Sequence, residues 1–240
     1  LPAMSGPLDI DIELIALDQL PAADVARALA ALPAQEQARA ARYQRAADRA
    51  AFASCRMAVR RRLGQLAGMA PSAVPIVADR LGKPRCALDG LPHFSISHST
   101  GLTGMAAVGW CRQELGIDIE RVASPGGDDE GLARLILSAP EQAAYLALPA
   151  PRRNDYLMRQ FNAREAVLKA MGCGMHVEPH LLRPAGAGFL APAWDERPAQ
   201  QWQVRQQDLA EHWLLCAAAQ APALRLHLTW ITGMPLRQSS

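Results

Sequence analysis

Lysine is almost missing from this chain. Of 25 basic residues only two are lysine, Lys83 and Lys169, while alanine fills 46 of the 240 positions. That bias is the mark of a GC-rich genome, which replaces lysine with arginine wherever the two are interchangeable. They are not interchangeable where a compact ammonium must reach a phosphate or an oxygen beside a metal. The two lysines are therefore either candidate site residues or chance survivors. Cysteine is also sparse: Cys55, Cys86, Cys111, Cys173 and Cys216 are odd in number, and no pair has CxxC spacing. A disulfide framework and a structural zinc site are excluded, and the thiols read as reduced packing residues. No apolar run approaches the ~18–20 residues of a membrane helix; the longest weakly polar stretch lies around 213–224. No basic segment leads into an apolar run at the N-terminus, so a cytoplasmic protein is expected. Half the residues are apolar and a fifth are charged, which excludes a disordered chain. The net charge of +2 and the pI of about 8.4 do not call for a nucleic-acid partner.

What is present reads as mixed helix and strand. Residues 8–17 alternate acidic and apolar side chains, as in a strand with one buried face. A short helix follows at 21–31. From Pro33 a helical region runs to Leu66, broken near Ala46–Asp48, with Phe52, Met57, Val59, Leu63 and Leu66 as its core stripe. Strands are predicted at 76–78, 93–97, 103–110 and 114–121, with LGKP at 81–84 as a turn. A loop at 123–129 leads to helices at 130–137 and 138–147. The second opens on a capping box, Ser138 and Glu141, with Pro140 in its first turn. A long helix from Arg152 to Met171 stops at Gly172. Residues 183–198, interrupted by proline and glycine, read as loop, strands return at 201–206, 212–217 and 224–230, and the last residues read as frayed. Hairpins rather than strict βαβ alternation make the fold class α+β. No sequence repeat relates the two halves.

Four segments carry chemistry. In GIDIE (116–120) strand alternation puts Ile117 and Ile119 on one face and Asp118 and Glu120 on the other. Two carboxylates on one face suit a hard cation such as Mg²⁺, or else a solvated strand edge. In FNAREAVLKAMG (161–172) Glu165 and Lys169 are one helical turn apart. They are either a surface ion pair or a third carboxylate with an ammonium facing a phosphate, and Ala166, Leu168 and Met171 would pack the helix. In FSISHS (94–99) His98 is either structural or a ligand contact, and Ser97 and Ser99 are available to phosphate oxygens. Between Arg39 and Arg62 lie eight arginines and one acid, Asp48. That is a solvated helix face, or a field for an anionic ligand or partner.

The order basic helix, GKP, FSISHS, GIDIE, E-x-x-x-K resembles the surfactin-type 4′-phosphopantetheinyl transferases over residues 33–175, most specifically in GIDIE and R-E-A-x-x-K-A-x-G. The resemblance implies a pseudo-dimeric α+β fold. An N-terminal subdomain, 1–112, would bind coenzyme A, and a C-terminal subdomain, 113–240, would bind metal and carrier, with the active site in the cleft between them. It implies transfer of the phosphopantetheine arm of coenzyme A to a serine of an apo acyl or peptidyl carrier protein, with release of adenosine 3′,5′-bisphosphate. By motif, Asp118, Glu120 and Glu165 would hold Mg²⁺. Lys169 would contact the reacting phosphate, with Glu165 as candidate base and His98 as its rival. Lys83, Ser97, His98 and Arg39 would bind the nucleotide, and the segment after Gly172 would help dock the carrier. The length favours a monomer over the short trimeric holo-acyl-carrier-protein synthases. Two positions depart from the family pattern: Phe161 stands for the usual tryptophan and Arg164 for the usual lysine. Rival readings are a metal-dependent phosphodiesterase and a non-catalytic coenzyme A or carrier-binding module.

Overall fold

A computed structural model of the chain describes residues 6–101, 103–122 and 129–231. The loop expected at 123–129 lies outside these residues except for Asp129, and so does the frayed tail.

The architecture is α+β, built around two sheets. Strand β1 (Leu8–Ala16) leads through a single 3-10 turn into α1 (Ala22–Ala31), α2 (Ala34–Ala40) and α3 (Ala46–Ala67). A small hairpin follows, β2 (Ile76–Ala78) and β3 (Pro84–Cys86), then β4 (His93–Thr100), β5 (Gly104–Cys111) and β6 (Leu115–Arg121). Next come helices α4 (Asp129–Ile136), α5 (Ala139–Ala147) and α6 (Ala150–Met171). The chain closes with β7 (Arg183–Ala185), β8 (Gly188–Ala191), β9 (Gln200–Asp208), β10 (Trp213–Ala219) and β11 (Leu224–Trp230). One sheet has the order β11-β1-β5-β4 and the other β6-β10-β9-β8-β7. The last strand returns to the first sheet and pairs parallel with β1, from Leu8 opposite Leu224 to Leu14 opposite Trp230. A division at residue 112 thus falls in the turn between β5 and β6, and β11 crosses back over it.

The alternation in the sequence explains the layers. Leu8, Ile10, Ile12 and Leu14 of β1 share one core with Leu115, Ile117 and Ile119 of β6 and Leu215 and Ala217 of β10. The two sheets therefore pack face to face through aliphatic side chains, each contributing about 1.5–3 kcal/mol by full burial. The outer face of the first sheet packs on α3 through Ile15, Val108 and Trp110 against Cys55, Val59 and Leu63. The outer side of the second packs on α6 through Cys216, Ala218 and Trp202 against Ala163, Val167 and Ala170. Each sheet thus carries one long helix on its outside. Of the stripe expected on α3, Phe52, Met57, Val59 and Leu63 are buried, but Leu66 is 56% exposed. It falls in the helix's last turn, on the side away from the sheet.

The 183–198 region is not all loop. β7 and β8 form a hairpin that extends the second sheet, turning at Gly186 with φ +56°. Pro184 is accommodated because β7 is the sheet's edge, where a missing N–H breaks no ladder. The capping box forms as expected: the Ser138 backbone N–H donates to Glu141 Oε2 at 2.9 Å. All five cysteines are free thiols, four of them buried. Among the described residues no helix is long and apolar enough to cross a membrane.

Candidate active site

The meeting of β4, β6 and α6 organises the site. β10 pairs with one edge of β6, leaving Ile117 N–H and Ile119 N–H on the other. Serine side chains from β4 satisfy them: Ser95 Oγ accepts from Ile117 N at 3.0 Å and Ser97 Oγ accepts from Ile119 N at 3.2 Å. FSISHS is thus a seam between the sheets, with serines closing an edge that would otherwise expose bare donors. On the face of β6 turned to α6, Gly116 lets the two backbones touch. A Cβ there would lie 1.9 Å from Ala166 O. That close approach sets Asp118, two residues on, directly against the helix.

Asp118 is 1% exposed, so it is no solvated strand edge. Its Oδ1 accepts from Ser97 Oγ at 2.9 Å and from Lys169 Nζ at 2.5 Å, and its Oδ2 accepts from Asn162 Nδ2 at 3.0 Å. Lys169 Nζ also donates to Ser97 Oγ at 2.8 Å. A cavity of about 350 Å³ opens beside this group and is lined by Asp118, Glu120, Glu165, Lys169, Ser97 and His98 together with Arg39, Tyr43, Phe52, Arg56 and Phe161. Strand and helix phase therefore bring both carboxylates of GIDIE and both charged members of E-x-x-x-K to one wall. Arg39, Tyr43 and Arg56 also line a neighbouring space of about 830 Å³, where Arg42 adds a third guanidinium.

Charge in this pocket is segregated: Asp118, Glu120, Glu165 and Lys169 come from β6 and α6, and Arg39 and Arg56 from α2 and α3. Burial, then the charge of Asp118, pushes the Glu120 carboxyl up from 4.5 to about 7. Burial also raises Glu165, with Lys169 opposing. Burial works against the charge of Lys169, but the three carboxylates outweigh it, Asp118 most, and hold its ammonium above the ordinary value. Burial and the nearby Lys169 charge depress His98, which favours a neutral imidazole at neutral pH. On the β6–α6 side, three carboxyl groups beside one ammonium are a hard-oxygen donor set of the kind that suits a divalent cation such as Mg²⁺. The carboxylates share the pocket without forming a closed cage: among the described residues no three Asp, Glu, His or Cys side chains converge on one point.

Comparison with known proteins decides the family. The 4′-phosphopantetheinyl transferase HetI of Nostoc sp. is 33% identical over 195 residues, covering 78% of this chain and 80% of that protein. The chain belongs to the 4′-phosphopantetheinyl transferase superfamily. A sequence model of that superfamily matches residues 114–223, the span from the start of β6 to the end of β10 and just beyond. The Synechocystis sp. protein slr0495 is 29% identical over 151 residues, 61% of this chain and 59% of its own. The holo-[acyl-carrier-protein] synthase of Bacillus subtilis is 38% identical over 64 residues, a quarter of this chain and 53% of that protein.

In this transferase Lys83 stands apart from the pocket. Its ammonium donates to Glu114 Oε2 at 2.9 Å and to the carbonyls of Leu115 and Ala170 at 3.2 Å each. Two residues the sequence did not single out belong to the transferase's pocket or its support. Arg56 is 7% exposed, and its Nη1 is buried with no hydrogen-bond partner. It reads in sequence as one of eight arginines, and only the phase of α3 turns it inward beside Phe52, whose ring its guanidinium overlies at 5.6 Å. Asn162, wholly buried, props Asp118 from below, and its Oδ1 accepts from Gln206 Nε2 at 3.2 Å. Its three-residue spacing from Glu165 was the available signal. Arg164 is buried away from the pocket, donating to Glu141 Oε1 at 2.5 Å and lying over Phe189 at 4.7 Å. Here it ties α5 to α6 and β8 rather than meeting a ligand.

Proposed function

We propose that this enzyme transfers the 4′-phosphopantetheine arm of coenzyme A to a serine hydroxyl of an apo acyl or peptidyl carrier protein and releases adenosine 3′,5′-bisphosphate. The observation that carries the reading is one pocket holding Asp118, Glu120, Glu165 and Lys169 next to an arginine-lined space, in a chain of this superfamily. A pyrophosphate needs cationic neighbours, and Lys169, Arg39 and Arg56 supply them. The Arg56 guanidinium pairs with Glu36 at 3.6 Å through Nε, while its Nη1 keeps a donor with no protein partner at the pocket wall. The large arginine-lined space suits the nucleotide end of coenzyme A, with neutral His98 in the adjoining pocket donating to it; Ser97, whose one hydroxyl proton goes to Asp118, shapes the wall behind.

Asp118, Glu120 and Glu165 are the residues that would hold Mg²⁺. The metal, when bound, screens the pyrophosphate and stabilises the leaving phosphate. In the transfer the serine Oγ bonds to the phosphorus that carries the pantetheine. The bond from that phosphorus to the bridging oxygen breaks, and the electron pair leaves with adenosine 3′,5′-bisphosphate. The serine proton passes to Glu165, directly or through water. Burial raises that carboxyl above its ordinary value, the direction that strengthens it as a base. Lys169 stabilises the charge that gathers on the phosphate oxygens. The arginine field from Arg39 to Arg62 also suits steering of an acidic carrier.

Intact-protein mass spectrometry of a panel of apo fatty-acid, polyketide and peptide carriers tests the proposal. Each is incubated with enzyme, coenzyme A and Mg²⁺, with a parallel chelator control. A gain of one phosphopantetheine unit that disappears in chelator is expected. No gain on any carrier, with coenzyme A binding intact, would overturn the catalytic reading in favour of a binding module.

A further inference from the structure

We propose that Lys83 is a positioning residue: reaching from the β2–β3 hairpin, it caps the C-terminal end of α6 and fixes the helix that carries Glu165 and Lys169. The inference rests on the reading of that helix as catalytic.

The last carbonyls of a helix have no intrahelical donor. In α6 the chain's own turn takes part of them: Gly172 N–H donates to Leu168 O at 3.0 Å and to Lys169 O at 3.3 Å, and Cys173 N–H donates to Leu168 O at 3.3 Å. Ala170 O is taken from outside by Lys83 Nζ at 3.2 Å. The position is electrostatically apt, because a helix C-terminus carries partial negative charge and favours a cation. Gly172, with φ +69°, keeps room for the lysine stem; a Cβ there would lie 3.3 Å from Lys83 Cδ.

The same ammonium donates to Leu115 O, at the first residue of β6, and to Glu114 Oε2. One side chain therefore joins the hairpin, the start of the strand bearing Asp118 and Glu120, and the end of the helix bearing Glu165 and Lys169. Both anchors are themselves held. Asp79 Oδ1 accepts from the backbone N–H groups of Leu81 at 3.0 Å and Lys83 at 2.9 Å, which shapes the turn. Arg85 pairs with Glu114 Oε1, and His93 Nδ1 lies 3.2 Å from the same oxygen.

The donor count decides between this role and a nucleotide contact. An ammonium has three N–H groups, and Lys83 has three protein acceptors, with its side chain only 11% exposed. No donor is left for a phosphate. The geometry also explains a lysine in a chain whose other basic residues, save Lys169, are all arginine. Three acceptors around one point suit a compact tetrahedral donor, whereas a planar guanidinium spreads its N–H groups over a fork.

The test compares the full-length wild type with Lys83→Met and Glu114→Gln. It reads amide hydrogen exchange over residues 167–171, coenzyme A affinity by calorimetry, and kcat for transfer. Lys83→Met is expected to speed exchange in that last turn about tenfold and to lower kcat by at least about tenfold, with coenzyme A affinity within about twofold of wild type. Glu114→Gln moves both readouts in the same direction by less, and Lys83→Arg fails to restore them. Two results would overturn the inference. One is weaker coenzyme A binding with unchanged exchange, which makes Lys83 a ligand contact. The other is faster exchange with unchanged kcat, which leaves a cap that positions nothing. If Lys83→Met does not fold, Glu114→Gln decides by the same readouts. A wild type that transfers nothing would sink the proposed activity, while the exchange data would still decide the cap.

Discussion

Asp118 ties the site together at the level of single residues, because Ser97, Asn162 and Lys169 all donate to it. Asp118→Ala is therefore expected to abolish transfer and also to lower stability by about 1–3 kcal/mol, since it leaves buried donors without an acceptor. The midpoint of urea unfolding measures the second effect; an unchanged midpoint would mean that the three bonds contribute nothing. Glu120 gives the pH prediction. Its carboxyl titrates near 7 in the folded protein against 4.5 ordinarily. Between those values the folded chain holds a proton that the unfolded chain has released. The group therefore favours folding fully below its unfolded value, and that contribution is lost as pH rises through 7. In chelator the melting temperature should fall between about pH 5 and about pH 8, and Mg²⁺ should oppose the fall more strongly at the upper end, because metal binding needs the deprotonated carboxylate. Equal metal stabilisation across that range would contradict the assignment. Residue types at special positions were legible in sequence: Asp118 and Glu120 of GIDIE, Glu165, Lys169 and His98 all line one pocket. The partners of Lys83 and the inward turn of Arg56 were not, because they depend on which elements become neighbours.

Among the elements, β6 and α6 form the working pair, and Gly116 sets their distance. Gly116→Ala would drive a Cβ into the Ala166 carbonyl. The backbone there cannot rotate away as a flexible side chain could, so the loss is expected at about 3 kcal/mol or more, with transfer falling even where the protein remains folded. A wild-type melting temperature would mean that the contact is looser than the structure shows. Elements with a strong period were read well from sequence. The alternation of β1 and β6 and the α6 helix ending at Gly172 follow from side-chain pattern and a terminating glycine. The β7–β8 hairpin was missed because β7, three residues with a central proline, and β8, four residues opening on glycine, are too short to show a period of their own. Sheet pairing, not local preference, makes them strands.

For the whole molecule, the pairing of β11 with β1 matters most. It joins residues more than two hundred positions apart, and no local signal announces it. Because β11 returns to the first sheet, the halves 1–112 and 113–240 are not expected to fold separately. Expressed alone, the first half should expose β1 as an unpaired edge and associate or aggregate. A monodisperse, cooperatively unfolding 1–112 fragment would contradict that view. The α+β class itself was legible from hairpins and helix spacing, whereas the face-to-face packing of the sheets emerged only from the shared core of β1, β6 and β10.

The central claim is that the pocket between β6 and α6 performs the transfer. Its most direct test is the single-turnover rate of phosphopantetheine transfer by Glu165→Gln, measured with coenzyme A saturating and its affinity checked in parallel. A fall of about 10²-fold or more with coenzyme A binding retained is predicted, as for loss of a general base. A variant that transfers at the wild-type rate would place the chemistry elsewhere in the molecule.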